Sequence, residues 1–234
     1  VTGLLLFDID GTLLRVRNRI GRRLFAEAFR VAYGRDAVDV LEGFSFSGRT
    51  DWSIAHEIAP ALGLSLSRID EGWPTFTHAV HRLVVAAVDE SNTDALPGVH
   101  ALLTRLTNTP GITLGLVTGN VREVAFHKLA QVGLESFFQE GAFGSDHADR
   151  EHLPPLAIDR INARIGHDRF TAHNSVIVGD APRDIACAKA NGLRCVAVAT
   201  GEFAVEHLHE HGAETVLESF ADVEHAVEVL TAYF

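Results

Sequence analysis

Asp8 and Asp10 stand two residues apart at the end of a short apolar run, Gly3-Leu4-Leu5-Leu6-Phe7, and Gly11 follows them. In an extended chain alternate side chains share a face, so the two carboxylates project the same way. The glycine permits a tight exit from the strand. A run this continuously apolar fits a parallel strand covered on both faces, and open α/β sheets bind ligands beyond the carboxyl ends of such strands. The competing reading, a surface loop with two solvated acids, leaves the apolar run leading straight into the pair unexplained. Two further runs end in polar residues. Thr113–Val117 leads into Thr118-Gly119-Asn120, where a hydroxyl and free backbone N–H groups at a helix start make a neutral anion cradle, a helix cap, or both. Ser175–Val178 leads into Gly179-Asp180, with Asp184 four residues on; alone, Asp180 reads as a turn residue after a strand.

Other segments must position these residues. Cys195–Ala199, followed by Thr200-Gly201, is a fourth strand, and weaker ones fall near Ala142–Phe143 and Thr215–Leu217. Amphipathic stretches at 99–108, 121–132, 154–166, 183–191 and 220–231 lie between them. Strands alternating with helices predict an α/β fold, a parallel sheet with helices on both faces. Residues 15–93 break that rhythm with helical patterns near 21–33, 53–62 and 68–89 and no convincing strand. Pro74 is expected to interrupt or start a helix in the last stretch. The borders, Arg15–Ile20 and Ser91–Pro97, are polar and turn-forming. The expected organisation is a discontinuous core, 1–14 and 94–234, with a helical cap, 15–93, inserted after the first strand. Two polar linkers suggest that the cap moves relative to the core.

The ordered set resembles the haloacid dehalogenase superfamily, in its phosphatase branch, over the whole chain. Asp8-Ile9-Asp10-Gly11-Thr12-Leu13 is similar to its first motif, Thr118 to the second, and Gly179-Asp180 with Asp184 to the fourth. Leu96-Pro97-Gly98-Val99 resembles the usual re-entry into the core after a cap. Within that branch it resembles phosphoglycolate phosphatase-like and beta-phosphoglucomutase-like proteins. The resemblance implies a Rossmann-like core in which Asp8 attacks phosphorus to give an aspartyl-phosphate. It implies that Asp10 protonates the leaving oxygen and then deprotonates the hydrolytic water. It implies Mg²⁺ held by Asp8, Asp180 and the main-chain carbonyl of Asp10, with Asp184 either a direct ligand or support behind them. Thr118 would hold the phosphoryl group, with Gly11, Thr12, Gly119 and Asn120 contacting the substrate.

The third motif departs from the family pattern. A lysine is expected between the third strand and the next helix, and the sequence there is Asp149-Arg150-Glu151-His152-Leu153-Pro154-Pro155. Arg150 is the positive charge in register, unless it is a solvated loop residue. The chain has only two lysines: Lys128 falls in the preceding helix and Lys189 after the fourth motif, so neither fits that place. In the insert, Ser47-Gly48-Arg49-Thr50-Asp51 looks like the cap turn that faces the active site in relatives. Arg49 either touches the substrate or is solvated beside an ordinary helix cap. His207, His209 and His211, like His78 and His81, read as solvated faces.

The totals narrow the function classes. The net charge is −11, from 31 acids and 20 bases. A chain this acidic has no general attraction for nucleic acid or anionic membrane, so local charge must hold an anionic substrate. No apolar run spans a membrane, and the N-terminus lacks the long apolar stretch and basic flank of a signal peptide. Cys187 and Cys195 fit buried thiols in a reducing cytoplasm. The expected activity is Mg²⁺-dependent hydrolysis of a small phosphorylated metabolite. Alternatives are a sugar-phosphate mutase of the same superfamily and a non-enzymatic phospho-accepting regulatory domain. A dehalogenase lacks the second carboxylate, and a phosphonate hydrolase needs a cap lysine that residues 15–93 do not contain.

Overall fold

The computed structural model describes residues 2–234. Six strands form one parallel sheet in the spatial order β5 (Gly141–Phe143), β4 (Ile112–Thr118), β1 (Gly3–Phe7), β6 (Ser175–Gly179), β7 (Arg194–Val198) and β8 (Thr215–Leu217). From β1 the chain builds outward through β4 and β5, then crosses back to β6 on the other side. The direction of winding therefore reverses at β1 and β6, and the crevice beyond their carboxyl ends is the natural ligand site.

Strand β1 explains why the sheet needs two covers. All five of its residues are buried. Leu5 and Phe7 pack with α5 (Val99–Thr107), α6 (Arg122–Gln131) and α10 (Val223–Thr231) through Leu102, Leu106, Leu129 and Leu230. Leu4 and Leu6 face the other way, onto Leu153, Ala157 and Ile161 of α7 (Leu153–Ile165) and Cys187 of α8 (Pro182–Ala190). Alternation along one strand thus feeds two apolar layers. A short α9 (Val205–Glu210), which the sequence pattern does not announce, buries only Leu208 and carries the half-buried His207 and the exposed His209, with His211 just after it.

The insert between β1 and α5 holds α1 (Ile20–Tyr33), α2 (Val38–Leu41), α3 (Asp51–Ile58) and α4 (Leu66–Ala87). It has its own aromatic cluster, in which Phe25 and Trp73 lie 4.9 and 5.0 Å from the Phe76 ring. Two expectations need correcting. Pro74 does not divide α4, which runs through it. Pro74 is exposed while Ile69, Trp73, Phe76 and Val80 are buried, so packing on both sides outweighs one missing hydrogen bond on the wet face. The linkers also contain strands. β2 (Leu14–Val16) pairs antiparallel with β3 (Thr93–Ala95), and Arg17, just after β2, forms an ion pair with Asp94 of β3. At three residues each, these strands are too short for alternation to show in the sequence. Among the described residues no helix is long and apolar enough to cross a membrane.

Candidate active site

Strand β1 ends at Phe7, so Asp8 emerges directly at the switch point, with its N–H bonded to the Val178 carbonyl of β6 at 2.9 Å. Asp180 leaves β6 one residue after Gly179. Asp184 lies in the first turn of α8, its Oδ2 accepting the Ala181 N–H at 3.0 Å. Ligand oxygens of Asp8, Asp180 and Asp184 all lie within 4.8 Å of one another, and all three residues are buried. Thr12 is also buried, and its hydroxyl donates to Asp180 at 3.2 Å, so it orients a carboxylate. Gly11 has φ +82, and a Cβ there would meet Asp180 at 2.5 Å; this turn needs glycine.

Arg150 comes in from the turn before α7. Its Nη2 lies 2.5 Å from Asp184, 3.2 Å from Asp8 and 3.3 Å from the Val117 carbonyl. Burial disfavours its charge, but Asp184 and Asp8 outweigh that and hold its proton more tightly than usual. Three carboxylates face this one guanidinium, which leaves two negative charges uncompensated in a buried pocket. That donor set fits a hard divalent cation. Electrostatics agree: burial, then the neighbouring carboxylates, push Asp180 well up, and burial pushes Asp8 up to about 6 despite Arg150.

A raised carboxyl binds more protons in the folded than in the unfolded chain, so the metal-free protein loses stability as pH rises from about 4 through about 6. For Asp8 the loss is on the order of 3 kcal/mol. Asp8→Asn removes that charge without changing shape. In chelator at pH 7 the variant is expected to melt several degrees above the parent, with the gap closing near pH 4. A variant that melts at or below the parent at pH 7 would contradict this picture of the pocket.

Asp10 lies on the other side. Its carboxylate accepts from Lys128 Nζ at 2.8 and 2.9 Å and from Asn120 Nδ2 at 2.7 Å, and Lys128 also donates to Asn120 Oδ1 at 2.7 Å. Lys128 belongs to α6, and the motif pattern passes over it. The signal that finds it is its place on a helix stripe: Val121, Val124 and Lys128 recur at spacings of three and four, and all are buried. A lysine on a buried stripe requires an anionic partner.

Thr118, fully buried, accepts from the Asn120 side chain at 3.0 Å, and Gly119 passes so close to the insert that a Cβ would meet the Arg49 carbonyl. Arg49 lines the same cavity, but its guanidinium is bound to Glu57 at 3.0 Å and to the Ser45 carbonyl at 2.9 Å, and it stacks on Phe44. The insert seats on the core at the start of α3. There Thr50 caps the helix and also donates to the Ala148 carbonyl, while Asp51 accepts the Val121 N–H at 3.2 Å. Loss of water around Asp51 pushes its carboxyl up to about 6 despite the nearby Lys128 charge. The seam is not purely polar, because Val84 and Val88 of the insert share a cluster with Val121 and Val124. Between the two parts lies a cavity of about 570 Å³, with Asp8, Asp10, Thr118, Lys128, Arg150 and Asp180 in its floor and valines and Phe25 in its roof. That size suits a small molecule.

The family profile described as Haloacid dehalogenase-like hydrolase matches residues 5–198. The chain is similar to Pyrophosphatase PpaX from Bacillus pumilus, 27% identical over 226 residues that span 93% of each chain. It superposes on CbbY from Rhodobacter sphaeroides in complex with phosphate with a TM-score of 0.67 at 22% identity, covering 95% of this chain and 96% of that one. A predicted phosphatase from Clostridium acetobutylicum gives a TM-score of 0.67 at 16% identity, covering 97% and 98%. These two structures share the fold.

Proposed function

The chain belongs to the haloacid dehalogenase-like hydrolases, and on that footing we propose that it is a Mg²⁺-dependent phosphatase that hydrolyses a small phosphorylated metabolite through an aspartyl-phosphate on Asp8. The observation that carries this reading is the placement of Asp8: buried at the switch point, paired with Arg150, and grouped with Asp180 and Asp184. Residues 1–14 and 94–234 form the catalytic core in this reading, and 15–93 the cap that closes the site.

Asp8, Asp180 and the main-chain carbonyl of Asp10 would hold the metal, with Asp184 engaged mainly by Arg150 and the α8 terminus. Bound there, Mg²⁺ supplies the charge that lets an anionic carboxylate approach an anionic phosphate. An oxygen of Asp8 attacks phosphorus and the ester oxygen leaves, taking a proton from Asp10. Asp10 then removes a proton from the water that attacks the phosphorus of the aspartyl-phosphate, which frees Asp8 and inorganic phosphate. In this reading Arg150, the Thr118 hydroxyl and the Gly119 N–H would hold the phosphoryl oxygens. The two free cysteines suit a reducing cytoplasm.

A panel of phosphorylated metabolites, assayed for phosphate release with and without chelator, tests the reading. Inorganic pyrophosphate belongs in it, given the name of the Bacillus relative. Phosphate release that stops on chelation and returns with Mg²⁺ is expected. Phosphoryl transfer between positions of one sugar, without net release, would favour a mutase instead. Asp10→Asn is expected to slow turnover by roughly 10²- to 10⁴-fold, the usual span for a lost general acid–base group. The loss should persist with a good leaving group, because hydrolysis of the phosphoenzyme still needs a base. Unchanged steady-state turnover in that variant would count against the role of Asp10.

A further inference from the structure

We propose that Lys128 is a positioning residue for Asp10, so that the site has two fixed cations with separate tasks: Arg150 for the nucleophile and Lys128 for the acid–base carboxylate. The proposal rests on the phosphatase reading above. It is carried by the tripod around the Lys128 ammonium, whose three donors meet three acceptors, both oxygens of Asp10 and Oδ1 of Asn120, at 2.7 to 2.9 Å. Asn120 closes the triangle by donating from its own amide to Asp10.

Asp10 needs such a tether. It lies beyond the end of β1, held in the sheet region by one isolated bridge to Leu14, and its side chain is 44% exposed. A carboxylate on a turn, facing a wet cavity, has several rotamers open to it. An acid–base group works only within hydrogen-bond reach of the proton it moves, and groups locked by their neighbours keep that geometry. Lys128 fixes both oxygens from a rigid helix, and its side chain is only 11% exposed.

The lysine is a poor choice for stability alone. Its stripe neighbours Val121 and Val124 are buried among apolar residues of the insert, where an uncharged side chain of similar length packs without desolvating an ammonium. What the charge gains, it gains through Asp10 and Asn120. Arg150 does not share the task, since its contacts are to Asp8, Asp184 and the Val117 carbonyl.

The test is a double-mutant cycle with an aryl phosphate and saturating Mg²⁺. Lys128→Met is expected to lower kcat by roughly 10²-fold, the scale of a lost preorganised electrostatic contact, with KM changed by less than about threefold. In the Asp10→Asn background the same substitution should change kcat by no more than about threefold, because the residue it positions is already disabled. Lys128→Arg should restore part of kcat in the Asp10 enzyme and nothing in the Asp10→Asn enzyme. Lys128→Gln replaces Lys128→Met if the latter does not fold. Wild-type kcat in the uncharged variant, equal losses in both backgrounds, or a raised KM at constant kcat would each overturn the proposal. Asp8→Asn, run alongside, separates the two levels: activity there sinks the phosphatase reading, whereas an inactive Asp8→Asn beside an unaffected Lys128→Met sinks only the role of Lys128.

Discussion

Asp8→Asn is expected to abolish turnover, by roughly 10⁴-fold or more, as loss of a covalent nucleophile does elsewhere. The amide has the shape of the carboxylate but attacks phosphorus poorly and carries no charge for a cation. The fold should persist, because β1 is held by five buried residues and by its two neighbouring strands, not by the Asp8 side chain. The variant should therefore be dead in the assay yet as stable as the parent, or more stable without metal. Circular dichroism and kcat/KM on the same preparation check both halves. Appreciable activity in a folded Asp8→Asn protein would remove the nucleophile from the account.

Arg150→Ala carries the second large effect, and it has two separable parts. Removing the guanidinium strips transition-state stabilisation, expected at about 2–4 kcal/mol. It also leaves Asp8 and Asp184 buried beside each other without their cation, and breaking a buried pair on one side costs about 3–5 kcal/mol of stability. A thermal melt reads the second part and kcat/KM below the melting range reads the first. Arg150→Lys should recover only some of each, because a lysine offers a compact point charge where one guanidinium nitrogen now spans two carboxylates and the Val117 carbonyl. Of the other arginines near the site, Arg160 is bound to Asp146 and Arg49 to Glu57, which leaves Arg183, next to Asp184, as the one to examine if Arg150 fails. Near-normal activity of Arg150→Ala would refute its assignment as the cation in the lysine's place.

The strands that carry the site were legible because they are apolar on both faces and stop abruptly at polar residues. Gly3–Phe7 before Asp8 and Ser175–Gly179 before Asp180 left little choice of fold, and the acids follow from the strands. Arg150 was legible by elimination, as the one base in register between β5 and α7, and it reaches Asp8 and Asp184. Lys128 was not, for a physical reason. It comes to Asp10 from 118 residues away in sequence, on a helix whose role looked purely structural. A motif search looks for a cation in a loop, whereas this one sits on a buried helical stripe, where only its missing counter-charge betrays it. The β2–β3 ribbon and the unbroken α4 were hidden for the opposite reason, since local pattern at Pro74 and in three-residue strands is weaker than the packing that overrides it.

The most direct test is to look for the covalent intermediate. Asp10→Asn protein, given substrate and Mg²⁺ and quenched in acid, should carry one phosphoryl group, and peptide mapping by mass spectrometry should place it on Asp8. The adduct should be absent when Asp8→Asn is added and absent when Mg²⁺ is chelated before substrate. An adduct on another residue, or none while the enzyme still releases phosphate, would contradict a mechanism that runs through Asp8.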